Sequence, residues 1–273
     1  MQISTITKDN IHKLSSLLSA SYGEPIEIQD ELDYFPKETI YWYVAFQEET
    51  PLGFIRHFKI GESTKHQLEL YALDLATKKR LLLYFLKQVR VSVLSSIRLY
   101  VKKEQYAFVD FLETLDFEMQ EEYLELAYKN LIVLTRHKGK TRLAENTAQE
   151  VLAIQTILYE NFGLISINRI KQQIKEQIIS VIENKDGNIV GVCLFGAQEK
   201  EKEIIQIAVQ SKHRQQGYGT VLLSHTMGLL QEKNSEMTFF LRVKTKNKVA
   251  IQMYKSIGFE KIGTEQWFVK KLN

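Results

Sequence analysis

The feature that most constrains this chain is an internal repeat: its 273 residues align with themselves at offsets close to 140. At an offset of 140, Ile11, Leu14, Leu17, Leu18, Tyr22 and Gly23 meet Val151, Ile154, Ile157, Leu158, Phe162 and Gly163. The apolar members of that set have the spacing of one helix face. At 138, Leu52-Gly53-Phe54 meets Val190-Gly191-Val192, each opening a β-branched or aromatic run that reads as a strand. At 142, Leu99, Val101, Lys102, Phe117 and Glu118 meet identical residues at Leu241, Val243, Lys244, Phe259 and Glu260. Three nearly collinear offsets define two copies of one unit, residues 1–136 and 137–273, joined at the polar stretch His137 to Lys140.

Composition narrows the class. An apolar fraction of 44% and a charged fraction of 25% suit a globular protein and exclude collagen, coiled coil and wholesale disorder. Three prolines and no Ser, Gly or Gln tract leave no long linker, so the boundary between the copies is tight. The single cysteine, Cys193, forms no internal disulfide, and no Cys and His cluster has zinc spacing, so a reducing, cytoplasmic setting without a metal is expected. The opening MQISTITKDN lacks a basic start and an apolar core, and no run approaches 18 apolar residues, so neither a signal peptide nor a membrane partner is expected. A net charge of +3 is too small to announce a nucleic-acid binder. The charge is uneven, however. Residues 1–136 carry 16 basic and 20 acidic side chains, and residues 137–273 carry 20 and 13, balances of −4 and +7. The second half is the favoured host for an anionic ligand.

In the second copy the patterns predict a strand at Thr141 to Ala144, helices at Ala148 to Tyr159 and Ser166 to Glu176, and strands at Ile178 to Glu183, Ile189 to Ala197 and Glu203 to Val209. A turn-rich segment leads into a helix from Gly217 to about Lys233. Strand Thr238 to Val243, helix Lys246 to Ile257 and a last strand pair ending near Lys271 complete the copy. Strands and helices alternate, so the class is α/β or α+β.

The turn-rich segment His213 to Gly219 lies between a strand and a helix start, where free backbone N–H groups and the positive end of the helix dipole face outward. Gly217 and Gly219 permit close approach of backbone to phosphate, and Arg214 adds charge, so the loop is a candidate anion site. A dinucleotide fingerprint fits poorly. Leu222 stands where its third glycine belongs, and seven residues separate Val209 from Gly217, too many for its tight turn.

These residues resemble the GNAT acetyltransferases. Arg214 to Gly219 matches the family's Q/R-x-x-G-x-G/A acyl-CoA signature, and Asn247 to Phe259 matches its N-x-x-A-x-x-x-Y-x-x-x-G-F ending. The direct resemblance covers about residues 190–273, and the repeat extends it to a tandem chain with two GNAT-like domains. It implies a mixed sheet splayed between its fourth and fifth strands with acetyl-CoA in the gap. The backbone of Ile207, Ala208 and Val209 would bind the pantetheine arm as an added strand would. The loop Arg214, Gln215, Gln216, Gly217, Tyr218, Gly219 and Thr220 would hold the pyrophosphate. Asn247 and Tyr254 would reach the cofactor near its sulfur.

The implied activity is N-acetyl transfer to a primary amine of a small molecule or peptide, in a monomer or homodimer. A non-catalytic acyl-CoA-binding sensor or scaffold is the alternative. A lysine-like amine is neutral about once in 2,500 at pH 7, a handicap of roughly 4.6 kcal/mol, so a base must take its proton. Glu203, where histone-type members carry their glutamate, is the implied base, and burial beside Ile205 and Ile207 is expected to tune it. Tyr254 is the implied general acid to the leaving thiolate, and the Ala208 to Val209 backbone the implied oxyanion donor. Trp267 and Phe162 are expected to flank the acceptor mouth.

The first copy lacks these features. An offset of 136 places Ala72 opposite Ala208, whereas the next strand and helix need 142, so six residues are missing between them. After Leu73 the chain reads Asp74-Leu75-Ala76-Thr77-Lys78-Lys79-Arg80, without glycine, and Gln105 and Leu112 stand at the Asn247 and Tyr254 positions. One acyl-CoA per chain is expected, with the first copy's core closed over its old cleft.

Overall fold

Alternation sets the strands of the first unit. Along Ser96–Lys102, Ile97, Leu99 and Val101 are buried and their neighbours are not, which is the period-two signature of a sheet with one covered face. The computed structural model describes residues 1–6, 11–22, 42–59, 65–88, 95–128, 140–163, 165–196 and 201–272, and they divide into two units. One is Met1–Glu122 with Thr264–Asn273, the other Tyr123–Gly263.

The first unit contains β1 (Gln2–Ile6), a 3-10 turn (Ile11–Leu14) running into α1 (Ser15–Tyr22), β2 (Trp42–Gln47), β3 (Thr50–Lys59), β4 (Lys65–Ala72), α2 (Leu75–Gln88), β5 (Ser96–Lys102) and α3 (Tyr106–Glu113). Strands β1 to β4 form an antiparallel meander, and β5 joins β4 in parallel. The sixth strand comes from the far end of the sequence: Glu265–Lys271 pairs antiparallel with Lys102–Ser96. Helix α2 buries Leu81, Leu82 and Phe85 on one face, against a core that includes Ile55, Leu68 and Leu99.

The second unit receives the end of β6 (Glu118–Tyr128), followed by β7 (Lys140–Leu143), α4 (Ala148–Phe162), α5 (Ile167–Lys175), β8 (Ile179–Glu183), β9 (Ile189–Phe195), β10 (Glu201–Val209), α6 (Tyr218–Gln231), β11 (Thr238–Lys244) and α7 (Lys248–Ile257). The last strand, β12 (Phe259–Lys271), carries the chain back to the first unit. The sheet order is β6-β11-β10-β9-β8-β7. Only β10 and β11 run parallel. The sequences ISVIE and IVGVCLF of β8 and β9 are nearly continuous in apolar residues because both faces are covered, and both strands are buried almost throughout.

These elements lie within a few residues of their expected positions, with two differences. The last strand pair is one 13-residue strand, β12. The units are also not the contiguous halves 1–136 and 137–273, since each takes its final strand from the other copy's sequence. Gly23 and the expected joint at 137–139 lie outside the described residues.

The feature that creates a site is where the parallel pairing stops. β10 meets β11 only over Glu201–Ile204, yet stays paired with β9 through Val209 after a bulge at Ile204/Gln206. From Ile205 onward the edge of β10 away from β9 has no ladder partner among the described strands. The splay expected between the fourth and fifth strands is therefore present, and β4 repeats it by pairing with β5 only over Lys65–Leu68.

Candidate active site

The splay in the second unit opens a cavity of about 610 Å³. Four elements line it: the end of α4 at Asn161, the free edge of β10 at Ile207, Ala208 and Val209, the loop and helix start at His213 to Gln215 and Gly217 to Thr220, and α7 with its cap from Asn247 to Tyr254.

The loop is shaped by backbone torsion. Gln215 (φ 59) and Gly217 (φ 85) are left-handed, which turns successive N–H groups to the same side. Gly217 is the N-cap of α6 and supplies no side-chain cap. The N–H groups of Tyr218, Gly219 and Thr220 precede the first intrahelical bonds and so point out of the helix end with its positive dipole. A Cβ at Gly219 would lie 3.1 Å from Met253 Sδ, so side-chain bulk there intrudes into the space between α6 and α7.

The end of α4 holds this loop in place. Glu160 accepts hydrogen bonds from Ser211 N (3.3 Å) and Ser211 Oγ (3.1 Å). Arg214 donates from Nη2 to Asn161 Oδ1 (3.0 Å) and from Nε to Val209 O (3.1 Å). Arg214 thus ties the loop to both α4 and the last residue of β10, leaving further N–H donors on its guanidinium. Asn161 was missed at the sequence level, because a contact 53 residues distant leaves no local signal. Helix α4 itself begins where Thr147 accepts from Glu150 N at 3.2 Å. The Glu150 carboxylate is buried against Arg142, which donates to both its oxygens at 3.0 Å.

On α7, Asn247 caps the helix by accepting from Ala250 N at 3.1 Å. Its amide N–H₂ remains available at the cavity wall. Tyr254 lies seven residues on, buried (7% exposed) and packed edge-on against Phe259 at 5.9 Å. Burial pushes its phenol above the ordinary tyrosine range, with the nearby Cys193 adding in the same direction. The hydroxyl therefore keeps its proton at neutral pH. Cys193 is fully buried, and burial raises its thiol to about 12 despite hydrogen bonds from Ser180 and Thr226, so it is inert packing. Helix α7 stops at Gly258 (φ 114), whose N–H bonds back to Lys255 O and Tyr254 O.

Ile207, Ala208, Val209, Arg214, Gln215, Gly217, Tyr218, Gly219, Thr220, Asn247 and Tyr254 are thus brought to one wall-lined space. Gln216 is not. Its side chain donates to Lys212 O at 3.1 Å and braces the loop from outside. Glu203 is also absent from the lining. It accepts from Arg242 Nη1 at 2.8 Å, and Ile205, expected to enclose it, is 49% exposed. Trp267 stands in the other unit, where it meets Tyr100 edge-on at 4.2 Å with the Arg98 guanidinium 4.4 Å from its ring centre. Phe162 ends α4 and is 51% exposed.

Comparison with known proteins agrees with the geometry. Residues 150–259 match the model of the acetyltransferase (GNAT) family. The chain is 32% identical over 82 residues to the probable N-acetyltransferase san of Drosophila melanogaster, a match covering 29% of this chain and 45% of that relative. The chain thus spans less than half the length of that relative. Among solved structures, a GCN5-related N-acetyltransferase from Sphaerobacter thermophilus superposes with a TM-score of 0.80 at 13% identity, covering 100% of this chain and 96% of that one. A tandem GNAT protein from the clavulanic acid biosynthesis pathway gives 0.76 at 10% identity, covering 100% and 98%. Residues 150–259 thus carry the match to the GNAT family, and over its whole length the chain has a fold similar to that of a tandem GNAT protein. No helix among the described residues is long and apolar enough to cross a membrane.

Proposed function

We propose that this chain is an N-acetyltransferase that moves an acetyl group from acetyl-CoA to a primary amine by direct attack in a ternary complex. The second copy, residues 137–273, would be catalytic and the first, residues 1–136, non-catalytic. The observation that carries this reading is the convergence, in one cavity, of an unpaired strand edge, an uncapped helix N-terminus and a phenol that keeps its proton.

The residues present fit the cofactor. The N–H groups of Gly217 to Thr220 and the Arg214 guanidinium suit a pyrophosphate, the loop's backbone torsions admit close approach, and the free edge of Ile207 to Val209 suits an amide-bearing arm. When bound, acetyl-CoA supplies an acyl group already activated as a thioester. The chain's own residues orient it through the β10 edge, and the Asn247 amide hydrogen-bonds along the same wall. Tyr254 Oη holds a proton for the sulfur end of the cleft. The acceptor is a small-molecule or peptide amine.

In the first unit the helix end that would take the pyrophosphate is occupied by the chain itself. Two residues separate β4 from α2, where eight separate β10 from α6. Asp74 occupies the helix end, accepting from Thr77 N at 2.8 Å and Thr77 Oγ1 at 2.7 Å. Leu112, at the Tyr254 position, is fully buried in the core. Calorimetric titration with acetyl-CoA is expected to give one site per chain, abolished by Gly217→Glu with Gly219→Glu. Two sites, or full binding by the double variant, would overturn the assignment.

The placement of Glu203 favours a second reading, an acyl-CoA sensor without turnover, because its carboxylate is held by Arg242 outside the cavity lining. Thiol release measured over a panel of amines separates the two. Tight binding with no release, unaltered by Glu203→Gln, supports the sensor.

A further inference from the structure

The splay of the first unit keeps a cavity of its own, about 490 Å³, between the end of β4, the first turn of α2 and the first turn of α3. The old cleft was expected to be filled. Leu112 is buried in the core at the position of Tyr254, yet a space persists. What remains is walled by Leu73, Leu75, Tyr106 and Phe108, and Lys78 reaches into it from α2.

Lys78 has an unusual setting for a lysine. Its Nζ donates to Gln105 Oε1 at 2.6 Å and sits 4.4 Å from the centre of the Phe108 ring. Two carboxylates lie on the cavity wall, Asp74 and Glu104. Asp74 is occupied at the helix end by Thr77, and no carboxylate among the described residues couples to Nζ. A neutral amide and an aromatic face thus replace the counter-ion that a surface lysine finds in water or in a neighbour. We propose that Lys78 is an acylation site: its Nζ, fixed by Gln105 in the first-unit cavity, attacks activated acyl groups that enter from solution.

Physical chemistry supports this assignment. Burial lowers the Lys78 ammonium to about 8. The Phe108 face favours the cation, but a ring quadrupole returns only part of the hydration lost, so the net effect is downward. At pH 7 a group at about 8 is neutral in roughly one molecule in ten, against about one in 2,500 for an ordinary lysine. The lower basicity reduces intrinsic nucleophilicity. With a slope like that of thiols, about 0.4–0.5, the net gain is about tenfold.

The step balances without any further reagent. The Nζ lone pair forms a C–N bond to the acyl carbon, and the C–S bond of a thioester or the C–O bond of an acyl phosphate breaks. The electron pair leaves on thiolate or phosphate, and the ammonium proton passes to water. The product is a neutral amide, which ends the cation's contact with Phe108. This chemistry needs nothing from the second unit, so it is independent of the function proposed above.

The test incubates the full chain with acetyl phosphate and, separately, with acetyl-CoA, between pH 6.5 and 9.5, and quantifies each lysine by peptide mass spectrometry. With both donors at pH 7, Lys78 is expected to be acetylated about tenfold faster than the exposed Lys171 and Lys185, with a rate that has its midpoint near pH 8 and levels off above it. Gly217→Glu with Gly219→Glu is expected to leave this rate unchanged. Gln105→Glu, at an exposed position, places a carboxylate beside Nζ and is expected to slow the reaction about tenfold and move its midpoint upward. Four results would each overturn the proposal: a Lys78 rate at pH 7 equal to that of the exposed lysines, a Lys78 rate still climbing at pH 9.5, no response to Gln105→Glu, or loss of the reaction in the double glycine variant.

Discussion

Two buried titratable side chains make the residue scale testable. With its phenol pushed upward by burial, Tyr254 stays protonated across the neutral range, so it imposes no alkaline limb on the rate below about pH 10. Tyr254→Phe removes only the hydroxyl. It is expected to lower kcat by roughly ten to a thousand fold while acetyl-CoA affinity changes little, as single-turnover kinetics and calorimetry would measure. An unchanged kcat with chemistry rate-limiting would reduce Tyr254 to packing. In the first unit, His57 is buried against Phe85 and its Nδ1 lies 3.0 Å from that of His66. Burial first, and His66 second, lower it from 6.5 to about 4. The unfolded chain takes up this proton near pH 6.5 and the folded chain only near 4. Stability is therefore full above pH 6.5 and is lost as the pH falls through about 4, by up to roughly 3 kcal/mol. Denaturant midpoints between pH 7 and 4 are expected to drop steeply in the wild type and more gently in His57→Leu.

Elements were largely legible in the sequence, and the exceptions have physical causes. Gly217 and Gly219 were readable because a left-handed N-cap and a tight helix approach leave few alternatives. Helix spans were readable from apolar spacing. Partner choice was not. The edges that β6 and β12 join carry Leu99-Tyr100-Val101-Lys102 in β5 and Leu241-Arg242-Val243-Lys244 in β11, which match at three of four positions. Such edges offer an incoming strand nearly the same ladder, so the repeat that identified the strands also hid their exchange. That Glu203 pairs with Arg242 rather than lining the cavity was hidden for a related reason: Arg242 stands on a strand beginning 35 residues later. The exchange predicts the outcome of a chain cut at an introduced protease site between residues 131 and 138. Each unit's sheet holds a strand from the other fragment, so the pieces are expected to co-elute near 31.8 kDa on size exclusion. Elution as two separate folded halves would contradict the pairing.

For the whole molecule, charge and helix ends act together. The +7 of residues 137–273 and the uncapped α6 both favour an anion in the second unit. The −4 of residues 1–136 and the Asp74 carboxylate at α2 disfavour one in the first. Acetyl-CoA affinity is accordingly expected to weaken severalfold between about 50 and 500 mM salt, as screening shortens the reach of the positive half. An affinity indifferent to salt would locate the binding energy in the β10 edge alone. Asp74→Ala removes the α2 cap and is expected to cost about 1 kcal/mol, seen as a lower Tm of the first unit.

The strand exchange also has a consequence in time. A ribosome makes residues in order, and β5 leaves it with one edge bare until Glu265–Lys271 has been made some 160 residues later. The second unit needs only Tyr123–Gly263, so the unit begun first is completed last. Throughout that interval the exposed edge of β5 can recruit a strand from a neighbouring nascent chain, most readily on a crowded polysome. A premature stop that removes Glu265–Lys271 would leave every residue lining the second unit's cavity in place while stripping β5 of its partner in the first.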